Sequence, residues 1–367
     1  MSETTYKIRQ YHIDGIKGIL CFMVMFGHFW NIYRSCQENK LIQNVLFDNI
    51  TSSFIGSPIL VATFWLYAFL VISGYLISYT KITSVKDLFL KSVKRFLRFL
   101  IPVFGACLFI YVIQETIGFY ADDTKCFFQN KWFQKYYVKN LSFISVFTES
   151  INALLVGKCQ FNNPFWVIKD MFISSILIYF CNYMENIKKY KSYYFLILFF
   201  SITVYFKHPV ISACLLGYVV GKLNTLGNCK ITNNTVEFIV IYAAVLIFFL
   251  SAIKQKILPD IFNKTSLYTL FWGGALILIN KTQFIINLFS KPIFLLIGKI
   301  SFGVYAFHWP VICSVGSLVL IHGIQNEYGV IFTFVVSLVI SVIFTIILSI
   351  IYHLIVERIT EIIVRNF

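Results

Sequence analysis

A short list of side chains in this sequence could do chemistry, and most of them stand in apolar runs. His28 lies in a run that begins near Ile13, and Lys17 precedes it by eleven residues. At 100° per residue that separation is about 20° past three turns, so the two share one helix face, about 16 Å apart along the axis. An ionisable group inside hydrocarbon is costly and is a functional candidate by default. A neutral imidazole at that depth can take a proton from a hydroxyl as a general base; the plain alternative is a hydrogen bond to a neighbouring helix. Asp14 and Cys21 fall near the same stripe, and Cys21 reads as a small packing hydrophobe. Asp170 follows Trp166 in a later run. Trp166 reads as an interfacial anchor at the outer edge of its span. Asp170, one turn deeper, needs a partner, and His28 or some Lys or Arg can serve.

Ser301, Tyr305 and His308 share another helix face, at i, i+4 and i+7. Pro310 lacks an N–H and so frees the carbonyl of Ala306. Such a break is tolerated only where it lines a cavity or is buried in protein. Arg95 and Arg98 are three residues apart in a basic stretch that starts at Lys91 and is followed by Pro102. Two guanidiniums on one face can fork onto phosphates; the alternative is positive-inside charge with snorkelling side chains. In Ser73-Gly74-Tyr75, Gly74 permits a close approach of two helices.

The elements that carry these residues follow from composition. Of 367 residues 58% are apolar and only 13% charged, and mean hydropathy is +0.77. These values exclude a soluble globular enzyme, a disordered chain and a secreted disulfide scaffold; lipid must be the solvent. Ten apolar runs qualify as spans: 13–33, 59–79, 96–116, 165–184, 193–206, 208–221, 236–253, 266–280, 301–322 and 329–355. The fifth and sixth are short, meet at Lys207-His208-Pro209, and are either two spans or one broken hairpin. The fold class is therefore all-α: a polytopic membrane helix bundle of about ten helices. With the N-terminus inside, 19 Lys and Arg fall on inner segments and 11 on outer ones, which places both termini in the cytoplasm. The outer segment 117–164 is the longest between spans, an external lid or an interfacial helix. No signal peptide is visible, and 1–367 reads as a single membrane domain with no appended soluble domain. The net charge of +15 fits cytoplasmic loops facing anionic headgroups of membrane lipid, and no nucleic acid motif accompanies it. Nine scattered Cys, none in a CxxC pair, argue against a zinc site. At most one disulfide fits, among Cys36, Cys126 and Cys159.

Four of these segments, in order, resemble the acyltransferase type 3 family. Asp14 through Lys17 to His28 is similar to its Arg-x10-His first span, with Lys17 in place of Arg. Phe69 with Ser73-Gly74-Tyr75 resembles its second-span motif. Arg95-x2-Arg98 with Pro102 resembles its basic loop, and Ser301 through Tyr305 to His308-Trp309-Pro310 resembles its late motif. Trp166-x3-Asp170 stands where many relatives have Trp-x4-Glu. The resemblance covers nearly the whole chain. It implies transfer of an acyl group, usually acetyl, from cytoplasmic acyl-CoA to a hydroxyl of an envelope polysaccharide or lipid-linked sugar, in the cell membrane of a bacterium. Acyl-CoA is then a donor substrate, and no permanently bound cofactor is implied. On this view His28 is the base, with Asp170 orienting it or stabilising its protonated form. Lys17, Arg95 and Arg98 hold CoA phosphates, and Ser73, Trp166, Ser301, Tyr305 and His308 line the substrate path.

A transporter or flippase for a glycan or lipid-linked substrate is the rival from another class, since it too carries polar residues and broken helices. The missing repeat symmetry and the paired Arg loop stand against it. Neither the acceptor nor the oligomeric state can be read from the sequence. The charge bias makes a first prediction. A cysteine probe introduced near Asn130 should react with an impermeant thiol reagent added outside cells, and one near Lys86 should not; the reverse pattern inverts the orientation.

Overall fold

The computed structural model describes residues 10–38, 60–137, 140–188, 208–226 and 264–367. All regular structure among the described residues is helical. Among the described residues five helices are long and apolar enough to cross a bilayer: Tyr11–Ser35, Val85–Thr116, Asn163–Asn186, Ser301–Gln325 and Val330–Asn366. A sixth crossing results if Lys264–Lys281 and Gln283–Phe289, bent by 89°, are taken as one. Ala62–Ser78 and Pro209–Asn224 are shorter apolar helices at two more of the expected spans. The expected spans at 193–206 and 236–253 lie outside the described residues.

In chain order the helices are α1 (Tyr11–Glu38), α2 (Ala62–Ser78), α3 (Val85–Thr116), α4 (Lys131–Gln134), α5 (Phe143–Leu155), α6 (Trp166–Lys188), α7 (Pro209–Leu226), α8 (Lys264–Lys281), α9 (Gln283–Phe289), α10 (Pro292–Lys299), α11 (Ser301–Val311), α12 (Ser317–Gln325), α13 (Val330–Tyr352) and α14 (Arg358–Asn366). They divide into two compact units, each built from separated stretches. The first unit is Met1–Leu20, Leu66–Ser92 and Ile173–Lys299; the second is Cys21–Trp65, Val93–Phe172 and Ile300–Phe367.

In the first unit, glycines set the closest helix crossing. A Cβ added to Gly74 of α2 would fall 1.7 Å from the Cys214 carbonyl oxygen of α7. One added to Gly217 would fall 1.8 Å from the Val71 oxygen, and one at Gly221 would fall 2.0 Å from Ser78 Oγ. Gly217 and Gly221 form a small-xxx-small pair, the pattern by which membrane helices gain packing without a hydrophobic drive between them. The close approach expected of Gly74 is thus present. Polar groups around this crossing are paired. Asn224 Nδ2 donates to the Tyr75 and Tyr79 hydroxyls at 3.2 and 3.3 Å, and Lys222 meets Glu185 at 2.6 Å.

In the second unit, α13 is built inside out by the standards of a water-soluble helix. Thr333, Ser337, Ser341, Thr345 and Ser349 recur every fourth residue and all are buried, while Phe332, Val335, Val339, Ile343 and Ile347 are exposed. The hydroxyl stripe meets glycines: a Cβ on Gly303 would fall 2.8 Å from Ser349 Cα, on Gly316 2.7 Å from Ser341 Oγ, and on Gly323 2.5 Å from Thr333 Cγ2. Small residues face protein and large apolar ones face lipid, as expected where lipid is the solvent.

The segment between α3 and α6 turns back along α3. Gln114 exchanges two hydrogen bonds with the Leu141 backbone, at 2.8 and 2.9 Å. Further on, Tyr111 meets Phe143 and Phe104 meets Phe147. Contacts descend α3 as they advance along α5, so the two helices run antiparallel. Phe143, Ile144, Phe147, Ile151 and Leu155 form an exposed apolar stripe on α5, the pattern of an interfacial helix. Cys126 and Cys159 are both free thiols, and Cys159 Sγ lies 3.8 Å from Cys107 Sγ.

The glycine crossing yields a stability prediction. Gly217→Val must push α2 and α7 apart, and overpacking of this kind costs about 1–3 kcal/mol or more. Gly274→Ala meets nothing within 4 Å and should be neutral, or stabilising by up to about 1 kcal/mol. Thermal unfolding of both variants in detergent should show a lowered midpoint for the first alone.

Candidate active site

The site assembles in the second unit around one turn of α11. Pro310 interrupts the hydrogen-bond ladder of α11, and a π-turn at Ile312–Gly316 follows. The carbonyl freed at Ala306 is taken by a side chain: Asn162 Nδ2 donates to it at 2.7 Å. One residue earlier in the helix, the Tyr305 hydroxyl donates to the Pro164 carbonyl. The stretch Phe161–Phe165 is therefore fastened to α11 at two points. Tyr137 adds a third tie by donating to the Phe161 carbonyl. Burial pushes the Tyr137 phenol well above its ordinary value, so it stays a donor.

His308 lies on this fastened turn and is fully buried. Its Nδ1 is 3.2 Å from the Val304 carbonyl oxygen. A carbonyl only accepts, so that bond assigns the proton to Nδ1 and leaves Nε2 with a lone pair. Nε2 has no partner among the described residues, nor have Trp309 Nε1 and Asn162 Oδ1. Leaving a buried polar atom unpaired costs about 1–3 kcal/mol, and such atoms in a native structure call for an explanation. Here they offer one donor and two acceptors around Tyr305–Trp309.

His28 reaches the same place from α1. Its ring stacks on His308 with centroids 5.2 Å apart and planes 9° from parallel. It also stacks on Trp132 of α4 at 5.2 Å and 21°, and meets Trp309 edge-on at 5.4 Å. His28 remains partly accessible where His308 is sealed. Among the described residues no carboxylate contacts either ring. The ring neighbours of His28 are thus aromatic. Asp170 sits half-buried on α6, four residues past Trp166, which is 41% exposed.

α4 has only four residues, and its position is set by a small network. The Asn130 side-chain oxygen caps it by accepting from Phe133 N at 3.0 Å, and Gln134 Oε1 accepts from Asn130 N at 2.9 Å. Asn130 Nδ2 then donates to Asn31 Oδ1 and Ser35 Oγ on α1, at 3.2 and 2.8 Å. Asn31 and Ser35 are three and seven residues beyond His28, on its face of the helix. Gln134 Nε2 donates to Thr124 Oγ1 and to the Phe128 carbonyl, at 3.0 and 2.7 Å.

Of the residues singled out from sequence, the structure brings together His28, His308 and Tyr305, with Ser301 buried at the start of the same helix. Arg95 and Arg98 lie on α3. The Arg95 guanidinium packs 4.6 Å over the Phe99 ring, and Arg98 is exposed. Lys17 and Ser73 belong to the first unit, where Lys17 is ion-paired to Asp14 at 2.8 Å. Sequence reasoning missed Trp132, Asn130 and Asn162. For Asn130 a signal existed, since an Asn just before a short helix is a cap pattern.

Residues 10–354 match the model of a family described as an acyltransferase domain. No curated protein and no solved structure matches the chain. The match spans nearly the whole sequence, including α1 with His28 and α11 with His308, on a set of helices able to cross a membrane. The chain is a multi-pass membrane protein and belongs to the acyltransferase type 3 family.

Proposed function

We propose that the protein transfers an acetyl group from cytoplasmic acetyl-CoA to a hydroxyl of an envelope polysaccharide or lipid-linked sugar, as an O-acyltransferase of a bacterial cell membrane. The observation that carries this reading is the partly accessible His28 ring beside three unpaired polar atoms on and around α11. The chemistry needs a base for the reacting hydroxyl, an acceptor to hold a neighbouring hydroxyl of the sugar and a donor for the thioester oxygen as it gains charge. His28 is the base in this reading. His308 Nε2 accepts from a substrate hydroxyl, and Trp309 Nε1 donates to the developing oxyanion. Tyr305 and Ser301 shape the chamber wall. The hydroxyl oxygen bonds to the acyl carbon, the carbon–sulfur bond breaks, and the proton on His28 passes to the departing thiolate of CoA.

The donor is held by its phosphates. Arg98 is exposed on α3 and Arg95 is one turn away with its plane fixed on Phe99. This geometry suits forked contacts to a phosphate. Trp166 lines the substrate path in this reading.

Two predictions test the proposal. His28→Ala should lower ester formation by about 10²–10⁴-fold, the usual worth of a general base, with acetyl-CoA binding unchanged. Asp170→Asn should cost less, because the ring is oriented without it. Ester-linked acetyl on surface glycans, measured in cells carrying each variant, is the readout. Near-normal ester content with folded His28→Ala, together with its loss in His308→Ala, would move the base to His308. Arg98→Ala should weaken acetyl-CoA binding by about 10- to 100-fold, the loss of a charge-assisted contact. Unchanged affinity would reduce the arginine pair to a topology signal.

A further inference from the structure

We propose that Trp132 is a positioning residue for His28, its indole face holding the imidazole plane and sharing the positive charge that ring acquires on taking the acceptor's proton. This rests on the reading of His28 as the base. Three observations converge on it.

The first is what surrounds the ring. A catalytic histidine is usually oriented by a carboxylate on its second nitrogen. Among the described residues His28 has none, and its contacts are Trp132, His308 and Trp309. An imidazolium formed there has aromatic faces and edges to meet. The face of an indole attracts a cation more strongly than any other side-chain ring. Trp132 lies 21° from parallel with His28, the orientation that presents that face.

The second is how Trp132 is held. α4 is too short to be stable alone, yet its cap residue bonds to α1 at Asn31 and Ser35, beyond His28 on the same face. The clamp fixes the indole relative to the helix that carries the base. Gln134 locks the other end of α4 to Thr124 and Phe128.

The third is the packing beside it. Trp309 lies 4.4 Å from Trp132 and 5.4 Å from His28, so the three rings close a triangle, and Phe133 packs on Trp309 at 6.0 Å. The indole of Trp132 is half-buried, and Trp309 braces it and the imidazole together.

The test uses the full-length protein. Trp132→Leu should lower acetyl transfer by about 2- to 30-fold, the worth of a cation–π contact from exposed to desolvated, while acetyl-CoA affinity stays at the wild-type value. Trp132→Phe, which keeps an aromatic face, should recover most of the transfer. A readout independent of activity checks the contact. An imidazole stacked on an indole quenches its emission, so His28→Ala should raise tryptophan emission in the wild-type background and by clearly less in a Trp132→Phe background, where Trp309 alone still meets the ring. Should Trp132→Leu fail to fold, Asn130→Ala keeps the indole and frees α4 from α1, and it should also lower transfer. Wild-type transfer in Trp132→Leu or in Asn130→Ala overturns the proposal, as does a Trp132→Phe no better than Trp132→Leu. Normal transfer in His28→Ala would instead overturn the base assignment, so the two failures are distinguishable.

Discussion

A backbone carbonyl in lipid must find a donor inside the protein, and the second unit is organised around one that lost its own. Pro310 cannot supply the N–H that Ala306 would accept in an unbroken helix. Asn162 supplies it, and this single bond requires the chain before α6 to lie against α11. Once there, Pro164 accepts from Tyr305 and Phe161 from Tyr137. The turn that carries His308 and Trp309 is thereby fixed on a side where the helix alone would be weak. Pro102 of α3 is tied in another way: its own carbonyl, not the one it frees at Arg98, accepts from the Tyr352 hydroxyl at 2.7 Å.

Polar atoms in this protein thus fall into two populations with different fates. Many are consumed in construction: Ser337 and Ser349 of α13 on backbone carbonyls, Asn224 on two tyrosines, Asn130 and Gln134 around α4. Others are buried without a partner among the described residues, and they include atoms on His308, Trp309 and Asn162 as well as three hydroxyls of the α13 stripe. Lipid makes that distinction sharp, because no solvent is at hand to soften the cost of an unmet donor or acceptor. Three of the unmet atoms lie at the broken turn of α11 beside His28, where an acyl transfer would need them.

Much of this could be read from residue order. Apolar runs located α1, α3, α6, α11 and α13, because length and hydropathy are strong signals where lipid is the solvent. The freed carbonyl at Ala306 followed from Pro310 alone, and the tight crossing from Gly74. His28 and His308 were each visible as polar residues in apolar runs, but their stacking joins positions 280 residues apart and has no local signature. For Asp170, shared depth named His28 as one candidate partner beside some Lys or Arg, and depth alone does not say which face of a helix meets which neighbour. Trp132 sits on a four-residue helix and Asn162 in irregular chain, both too short for a period to mark a side chain as inward. The stripe from Thr333 to Ser349 was legible in principle, since small hydroxyl residues at every fourth position are a helical period; overall hydropathy masked it.

The π-turn at Ile312–Gly316 has a consequence for descent as well as for chemistry. A turn closed by i→i+5 bonds accommodates one residue more than the α-helix around it, so it behaves as a one-residue insertion within α11–α12. Removing a residue between Pro310 and Ser317 would let the helix close normally. Because the turn absorbs the extra residue, such a deletion would leave Gly323 facing Thr333 and His308 in place. The turn can therefore be lost by a single codon with the hydroxyl–glycine packing on one side and the histidine pair on the other both kept. In a relative that lacks the turn, alignment should open a gap of one position there, with the helix packing on either side of it in unchanged register.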